Sequence, residues 1–138
     1  MLMKAKDVLR KKFPFLRPND TIKKAIQLML KIPESAVPVV DKKGKIVGEI
    51  RQRDFLEKFQ TMPEERILGP SALRQLLEKK AKKVEQIMER ISIEADPEDD
   101  ITYLAKLMYE YDLCSIPIIA KGKVIGMVTE IDLLKVLK

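Results

Sequence analysis

The sequence contains no histidine and no tryptophan, and it has a single cysteine, Cys114, among 138 residues. Histidine is the commonest general base and the commonest metal ligand in proteins, so its absence argues against an enzyme and against a metal site. One cysteine cannot form an internal disulfide, which is consistent with a reducing, cytoplasmic location. Cys114 lies among apolar residues, and we expect a small buried side chain rather than a reactive thiol. These absences favour a protein with no catalytic residues, no metal and no required cofactor.

Long apolar runs are also missing. No stretch approaches the roughly 20 residues that span a bilayer, so we expect no membrane partner. The charged start MLMKAKDVLRKKF lacks the apolar region of a signal peptide. Hydrophobic residues nevertheless make up 46% of the chain, which is enough for a globular core.

The charge balance is basic, with 27 lysines and arginines against 21 acidic residues and a net charge of +6. Such a surface favours anionic ligands, including nucleotide phosphates, nucleic acid and acidic lipid. Charged residues make up 35% of the sequence, and this is also typical of the ion-paired surface of a thermophilic protein. The composition alone leaves these explanations open.

The chain contains one unit twice. Segments of the first half match segments of the second half at an offset of 79 residues, which falls to 78 because the second copy has one residue fewer in a turn. Loss of one residue in a turn is well tolerated. The matches include Pro18–Ile22 with Pro97–Ile101, Val37–Val40 with Ile116–Ile119, and Gly48 and Asp54 with Gly126 and Asp132.

Each copy has the pattern strand, helix, strand, strand, helix. Helical spacing of apolar residues predicts a helix after Asp20 and another after Asp99, and either aspartate could be its N-cap. Paired β-branched runs joined by a Lys-Gly turn predict a hairpin in each copy. Residues 60–83 have no counterpart, and we expect a linker there that ends in an amphipathic helix over 72–83. Short first strands are predicted at Phe13 and Phe15 and at Ile91 and Ile93.

The most similar stretches are IVGEIRQRDFLEK at 46–58 and VIGMVTEIDLLKV at 124–136. Thr129 and Asp132 have the spacing of a helix capping box. Asp132 could also accept hydrogen bonds from both hydroxyls of a ribose, while Thr129 contacts a phosphate. In the first copy Asp54 is retained, but Arg51 replaces the threonine and could neutralise phosphate charge.

These marks, repeated in order over nearly the whole chain, resemble a tandem pair of CBS (cystathionine β-synthase) domains, called a Bateman module. The resemblance implies an α+β fold of two βαββα subdomains, over residues 1–59 and 84–138, joined by the 60–83 linker. It also implies that the subdomains pack through their three-stranded sheets with pseudo-two-fold symmetry and leave two clefts for adenosine-containing ligands.

The resemblance also implies which residues bind ligand. In the second copy, Asp132 would bind the ribose and Thr129 the ribose or phosphate. The adenine would be flanked by the chain at Cys114, Ser115, Ile116, Pro117, Ser92 and Ile93. The first cleft would use Asp54, with Ala36, Val37 and Pro38 near the base. Arg51 and Arg53 are either phosphate partners or solvated surface arginines.

The sequence therefore indicates a regulatory module that binds AMP, ADP, ATP or S-adenosylmethionine in the cleft between its two CBS units. It would act by conformational shift on a separate, unknown protein, and the resemblance implies a homodimer. Two alternatives remain. The run Lys79, Lys80, Lys82 and Lys83 on a predicted helix could bind nucleic acid or be a solvated face, or the chain could be a structural dimerisation unit with non-functional clefts.

Overall fold

The computed structural model describes residues 2–60, 69–90 and 93–138, apart from the side chains of Phe59, Leu73 and Lys80. Ile91 and Ser92, which were predicted to lie in a strand and in the adenine-binding wall, fall outside these ranges. The chain forms two compact units. We call one the first-copy unit, Phe15–Val40 with Gly48–Arg90, and the other the second-copy unit, Met1–Pro14 with Asp41–Val47 and Ile91–Lys138.

The secondary structure is mixed and follows the repeat. The helices are α1 (Ala5–Val8), α2 (Ile22–Met29), α3 (Gln52–Gln60), α4 (Pro70–Lys80), α5 (Ile101–Glu110) and α6 (Glu130–Val136), with a 3-10 turn at Val84–Gln86. The strands are β1 (Ala36–Val40), β2 (Ile46–Arg51), β3 (Glu89–Arg90), β4 (Ser115–Ala120) and β5 (Lys123–Thr129). The α+β class predicted from the sequence is confirmed.

The N-caps of α2 and α5 each lie one residue after the predicted caps, Asp20 and Asp99. Thr21 caps α2 by accepting a hydrogen bond of 3.1 Å from the amide three residues on, and Asp100 caps α5 through one of 3.0 Å. Asp20 and Asp99 each accept instead from the amide three residues earlier, at 2.7 and 2.8 Å. The expectation that Asp20 or Asp99 is the N-cap was therefore wrong, because both carboxylates close the turn before the helix.

The strands form a three-stranded sheet in the order β1-β2-β3 and an antiparallel pair β4-β5. No strand forms at Phe13 and Phe15 or at Ile93. Leu16 and Ala95 instead make single parallel bridges, to Val39 and Ile118 respectively. Among the described residues, the predicted first strands are thus reduced to one bridge in each unit.

The segments that precede the two copies are exchanged between the units. We call residues 3–10 and 82–89 the opening segments. The amide of Ala5 donates to the carbonyl of Asp99 in the second-copy unit, at 2.8 Å, and the amide of Val84 donates to the carbonyl of Asp20 in the first-copy unit, at 2.9 Å. Ala5 and Val84 are fully buried. Each unit is therefore completed by residues that precede the other copy.

The two opening segments also run along equivalent strands. Arg10 pairs with Met127 of β5, and Glu89 pairs with Glu49 of β2. The close approach of the two backbones requires a glycine beside each pair. A Cβ on Gly48 would lie 2.6 Å from the carbonyl oxygen of Glu89.

Each unit has an apolar core built from its own sheet and helices. The second-copy unit buries Ala5, Ala95, Leu104, Met108, Ile116, Ile118 and Val128 in one cluster. In the first-copy unit the buried apolar residues include Leu16, Ile22, Ala25, Met29, Val37, Val39, Ile50, Leu77, Ala81 and Val84.

The helix α4 lies inside the predicted linker and contributes to the first-copy unit. Pro70 occupies its first turn, and the buried Leu77 helps to line an apolar cavity of about 300 Å³ together with residues of α2 and α3. The helix ends at Lys80, whereas Lys82 and Lys83 lie in the second opening segment. The four lysines therefore do not all lie on one helix, and the prediction that they do was wrong.

The first opening segment carries a surface ion-pair cluster with a testable pH dependence. The ammonium groups of Lys4 and Lys6 both bind the carboxylate of Glu98, the latter at 2.8 Å. The hydrogen bonds from Lys4 and Lys6 lower the pKa of Glu98 from 4.5 to about 2. Because the folded-state pKa is depressed, the stability that this group contributes is present above pH 4.5 and is lost as the pH falls towards 2.

We expect Glu98→Gln to remove this pH-dependent contribution. Urea titrations of wild type and variant between pH 6 and pH 2 should show a difference in unfolding free energy above pH 4.5 that shrinks towards pH 2. All groups in the cluster are exposed, so added salt should reduce the difference. A difference that is independent of pH would show that the pair contributes through packing rather than charge.

Candidate functional site

The second-copy site is built where β5 ends and α6 begins. Thr129 and Asp132 form the capping box that their spacing predicted. The carboxylate accepts from the Thr129 amide at 2.8 Å and from its hydroxyl at 2.9 Å. Asp132 is 5% exposed. The strand and the helix start therefore hold a buried carboxylate and a hydroxyl side by side.

Arg10 completes this site from the first opening segment. Its Nε lies 3.1 Å from Oδ1 of Asp132, and its Nη2 donates to the hydroxyl of Thr129 at 3.3 Å. A buried carboxylate needs such a partner, because an unpaired buried charge is strongly destabilising. Sequence reasoning missed Arg10. Extending the 79-residue offset upstream would have placed Arg10 opposite Glu89 and drawn attention to the position.

The strand β4 brings the predicted adenine-flanking residues next to this pair. Ser115 lies opposite Thr129 in the strand register, and the carbonyl of Cys114 accepts from the amide of Glu130 at 3.1 Å. Ser115 is buried, as are Ile116 and Pro117. Cys114 is partly exposed, so the expectation of a buried cysteine was wrong. The reason is its position one residue before β4.

The remaining predicted member of this wall is Ile93, since Ser92 lies outside the described residues. Ile93 is partly exposed and belongs to the second-copy unit, like the rest of the set. The structure thus gathers Thr129, Asp132 and residues 114–117 around one strand end.

The first-copy site is the equivalent position where β2 meets α3. Asp54 is buried, and its carboxylate accepts from the Arg51 amide at 2.7 Å. Nη2 of Arg51 lies 3.4 Å from Oδ1 of Asp54 and 3.3 Å from Oε1 of Glu89, which belongs to the second opening segment. An arginine therefore contacts the helix aspartate here as well, but from a different position in the repeat.

The electrostatics of the first-copy site reflect burial and mutual attraction. Burial raises the pKa of Asp54, and the hydrogen bonds and charge of Arg51 only partly offset this. For Arg51, burial lowers the pKa, but the carboxylates of Asp54, Glu49 and Glu89 outweigh it, so the pKa is raised. Arg51 is thus a charged side chain held by surrounding carboxylates rather than a solvated surface arginine.

The other predicted residues of the first copy are placed as follows. Arg53 is exposed on α3 and lines a cavity of about 310 Å³ with Arg51 and Asp54. Val37 and Pro38 are buried in β1, and Ala36 is half-buried at its start.

Across residues 2–60, 69–90 and 93–138, no group of three or more cysteine or acidic side chains is placed to hold a metal ion. No helix in the same ranges is long and apolar enough to cross a bilayer.

Comparison with known sequences identifies one family. The sequence pattern of the CBS domain family matches residues 5–61 and 84–138. An uncharacterised protein, MJ1426, of Methanocaldococcus jannaschii is 32% identical, with 99% of this chain and 92% of the relative covered. Inosine-5'-monophosphate dehydrogenase of the same archaeon is 29% identical over 96% of this chain, which spans 23% of the enzyme.

Comparison with solved structures gives the same fold. The CBS domain of a CBS domain containing membrane protein from Sphaerobacter thermophilus superposes with a TM-score of 0.73 at 28% identity, covering 99% of this chain and 89% of that one. The CBS domain pair of protein MJ0100, in complex with 5'-methylthioadenosine and S-adenosylmethionine, gives 0.70 at 24% identity and covers 99% and 97%. CBSX2 in complex with AMP gives 0.75 at 19% identity and covers 97% and 95%.

Proposed function

Because this chain belongs to the CBS domain family, we propose that it is a regulatory module that binds an adenosine-containing ligand at Asp132 and Thr129. Two similar structures, of MJ0100 and CBSX2, hold 5'-methylthioadenosine, S-adenosylmethionine or AMP. The observation that carries the proposal is the buried carboxylate of Asp132, set beside the Thr129 hydroxyl and held by Arg10.

The chemistry of the site suits a ribose. A carboxylate has two oxygens and can accept a hydrogen bond from each of two neighbouring hydroxyls. In this structure Asp132 accepts from Thr129 and from Arg10. A ribose diol would exchange with the contact from Arg10, while the contact from the Thr129 amide keeps the carboxylate oriented.

Arg10 supplies a cation for the anionic part of a ligand. Its side chain is 30% exposed, so a phosphate can reach the guanidinium from solvent. A ligand with a phosphate or carboxylate would therefore gain more than adenosine alone. Because Arg10 belongs to the opening segment, ligand binding would alter how that segment is held, and this supplies the conformational signal.

The proposed role is binding without catalysis. Thr129 and Asp132 both serve the helix cap, and the sequence offers no histidine to act as a general base. The similarity to inosine-5'-monophosphate dehydrogenase covers less than a quarter of that enzyme. From the family resemblance, we further propose that the chain pairs with a second copy and acts on a separate protein.

The test is calorimetric titration of the wild type, Asp132→Asn and Asp100→Asn with adenosine, AMP, ATP, S-adenosylmethionine and 5'-methylthioadenosine. A hydrogen bond to a charged group is worth about 1.5–3 kcal/mol, so Asp132→Asn should weaken binding at least about tenfold. Asp100→Asn is the matched control, because Asp100 belongs to the same unit and its carboxylate also caps a helix, α5. It should bind like the wild type.

Equal affinity of the wild type and Asp132→Asn would contradict the site. Binding of generic duplex DNA with a steep salt dependence, and of none of the five compounds, would identify a nucleic-acid-binding protein instead. A stable dimer that binds none of these probes would identify a structural dimerisation unit.

A further inference from the structure

The two sites can be compared residue by residue, because the repeat offsets hold in three dimensions. Arg10 pairs with Met127, and Glu89 pairs with Glu49, which are the positions related by 79 and 78 residues. By the same offsets, Thr129 corresponds to Arg51 and Asp132 to Asp54. Each site thus has three defining positions, one in the opening segment, one at the strand end and one in the first turn of the helix.

The aspartate is common to both sites, but the arginine has changed position. In the second-copy site the opening segment supplies Arg10 and the strand end supplies a hydroxyl. In the first-copy site the strand end supplies Arg51, and the opening segment supplies the opposite charge, Glu89. Both arginines reach the helix aspartate, at 3.1 Å for Arg10 and 3.4 Å for Arg51.

The two arginines differ in solvent exposure and in the charged groups around them. The side chain of Arg51 is 11% exposed, against 30% for Arg10. Arg51 contacts Asp54 and Glu89, and the buried Glu49 also acts on its charge. In the second-copy site, the position of Glu49 is taken by the uncharged Met127.

We propose that Arg51, fixed by Glu89, occupies the sugar-binding position of the first-copy site, so that the chain binds one adenosine ligand, at Asp132. This inference rests on the proposed function. A ribose diol at Asp54 would have to displace a buried guanidinium and leave its carboxylates without their cation, which is costly. A phosphate there would meet Glu89, and the hydroxyl that could contact it is missing.

An Arg51 that binds phosphate and an Arg51 that replaces the ligand would give different numbers of bound ligands. A phosphate-binding Arg51 would give a second ligand or strengthen a polyphosphate. A guanidinium that replaces the ligand gives one site per chain and makes Asp54 irrelevant to binding.

The test measures stoichiometry by calorimetry with AMP and, separately, S-adenosylmethionine. The wild type should bind one molecule per chain, and Asp54→Asn should keep that number and bind within about twofold of the wild-type affinity. The double variant Arg51→Thr/Glu89→Arg gives the first-copy site the same residue types as the second-copy site, and it should bind two molecules per chain. The single variant Arg51→Thr, which leaves Glu89 facing Asp54, should still bind one.

Two molecules per wild-type chain, or loss of binding in Asp54→Asn, would overturn the inference and leave the proposed function standing. A folded double variant that still binds one molecule would also overturn it. If the double variant does not fold, the wild-type stoichiometry and Asp54→Asn decide the question. A wild type that binds neither probe would overturn the proposed function, and this inference with it.

Discussion

Replacing Gly48 with alanine should destabilise the protein by about 3 kcal/mol, near the upper end for adding a methyl group to a packed site. The new Cβ would lie 2.6 Å from the carbonyl oxygen of Glu89 and 2.8 Å from Sδ of Met88. The methionine side chain can move, but the carbonyl belongs to the paired strand β3. Relief would therefore require separating β3 from β2. Urea unfolding followed by circular dichroism measures the loss.

Gly44→Ala is the matched control for this effect. Gly44 has a φ of +80° and nothing within 4 Å of an added Cβ, so only backbone strain of about 1–2 kcal/mol is expected. Gly126→Ala should resemble Gly48→Ala, because its Cβ would lie 2.8 Å from the carbonyl oxygen of Arg10. A loss at Gly48 no larger than that at Gly44 would show that the opening segment yields easily.

Deleting residues 2–10 should unfold the second-copy unit, while the first-copy unit keeps all its own residues. The deletion removes the buried Ala5 and the packed Leu9 from the apolar cluster. It also leaves the buried Asp132 without Arg10, and removal of one partner of a buried ion pair alone costs about 3–5 kcal/mol. Amide hydrogen exchange of β4 and β5 should lose protection, whereas that of β1 should be retained.

A shorter deletion, of the first two residues, serves as the control. Leu2 is 74% exposed, so its loss should change neither the exchange of β4 and β5 nor the unfolding midpoint. Retained protection of β4 in the longer deletion would mean that the opening segment is dispensable for the unit on which it packs.

The elements that the sequence predicted are those with a local cause. Helices α2 and α5 follow from apolar residues spaced to one face, and the hairpins follow from β-branched runs around a Lys-Gly turn. The shorter second turn has a local cause too, because Lys121 and Gly122 both adopt positive φ, at 51° and 76°, and this closes a two-residue turn. The family resemblance supplied the pairing of these elements into a CBS fold.

The features that the sequence did not predict depend on contacts between distant parts of the chain. Arg10 and Asp132 are 122 residues apart, and no local pattern marks Arg10 as the partner of a buried carboxylate. Arg51 could be predicted as a departure from the repeat, but its contact with Glu89 could not, because Glu89 belongs to the exchanged opening segment. The N-caps were missed by one residue because two adjacent polar residues compete for the same role, and turn geometry decides between them.

The exchange of opening segments limits how the two copies can change in evolution. A substitution in residues 82–89 acts on the first-copy unit, although these residues lie next to the second copy in the gene. If recombination replaced one copy together with the segment that precedes it, the new opening segment would therefore pack on the other, unchanged copy. Such a replacement would separate Arg10 from Thr129 and Arg51 from Glu89. The two copies must therefore change together.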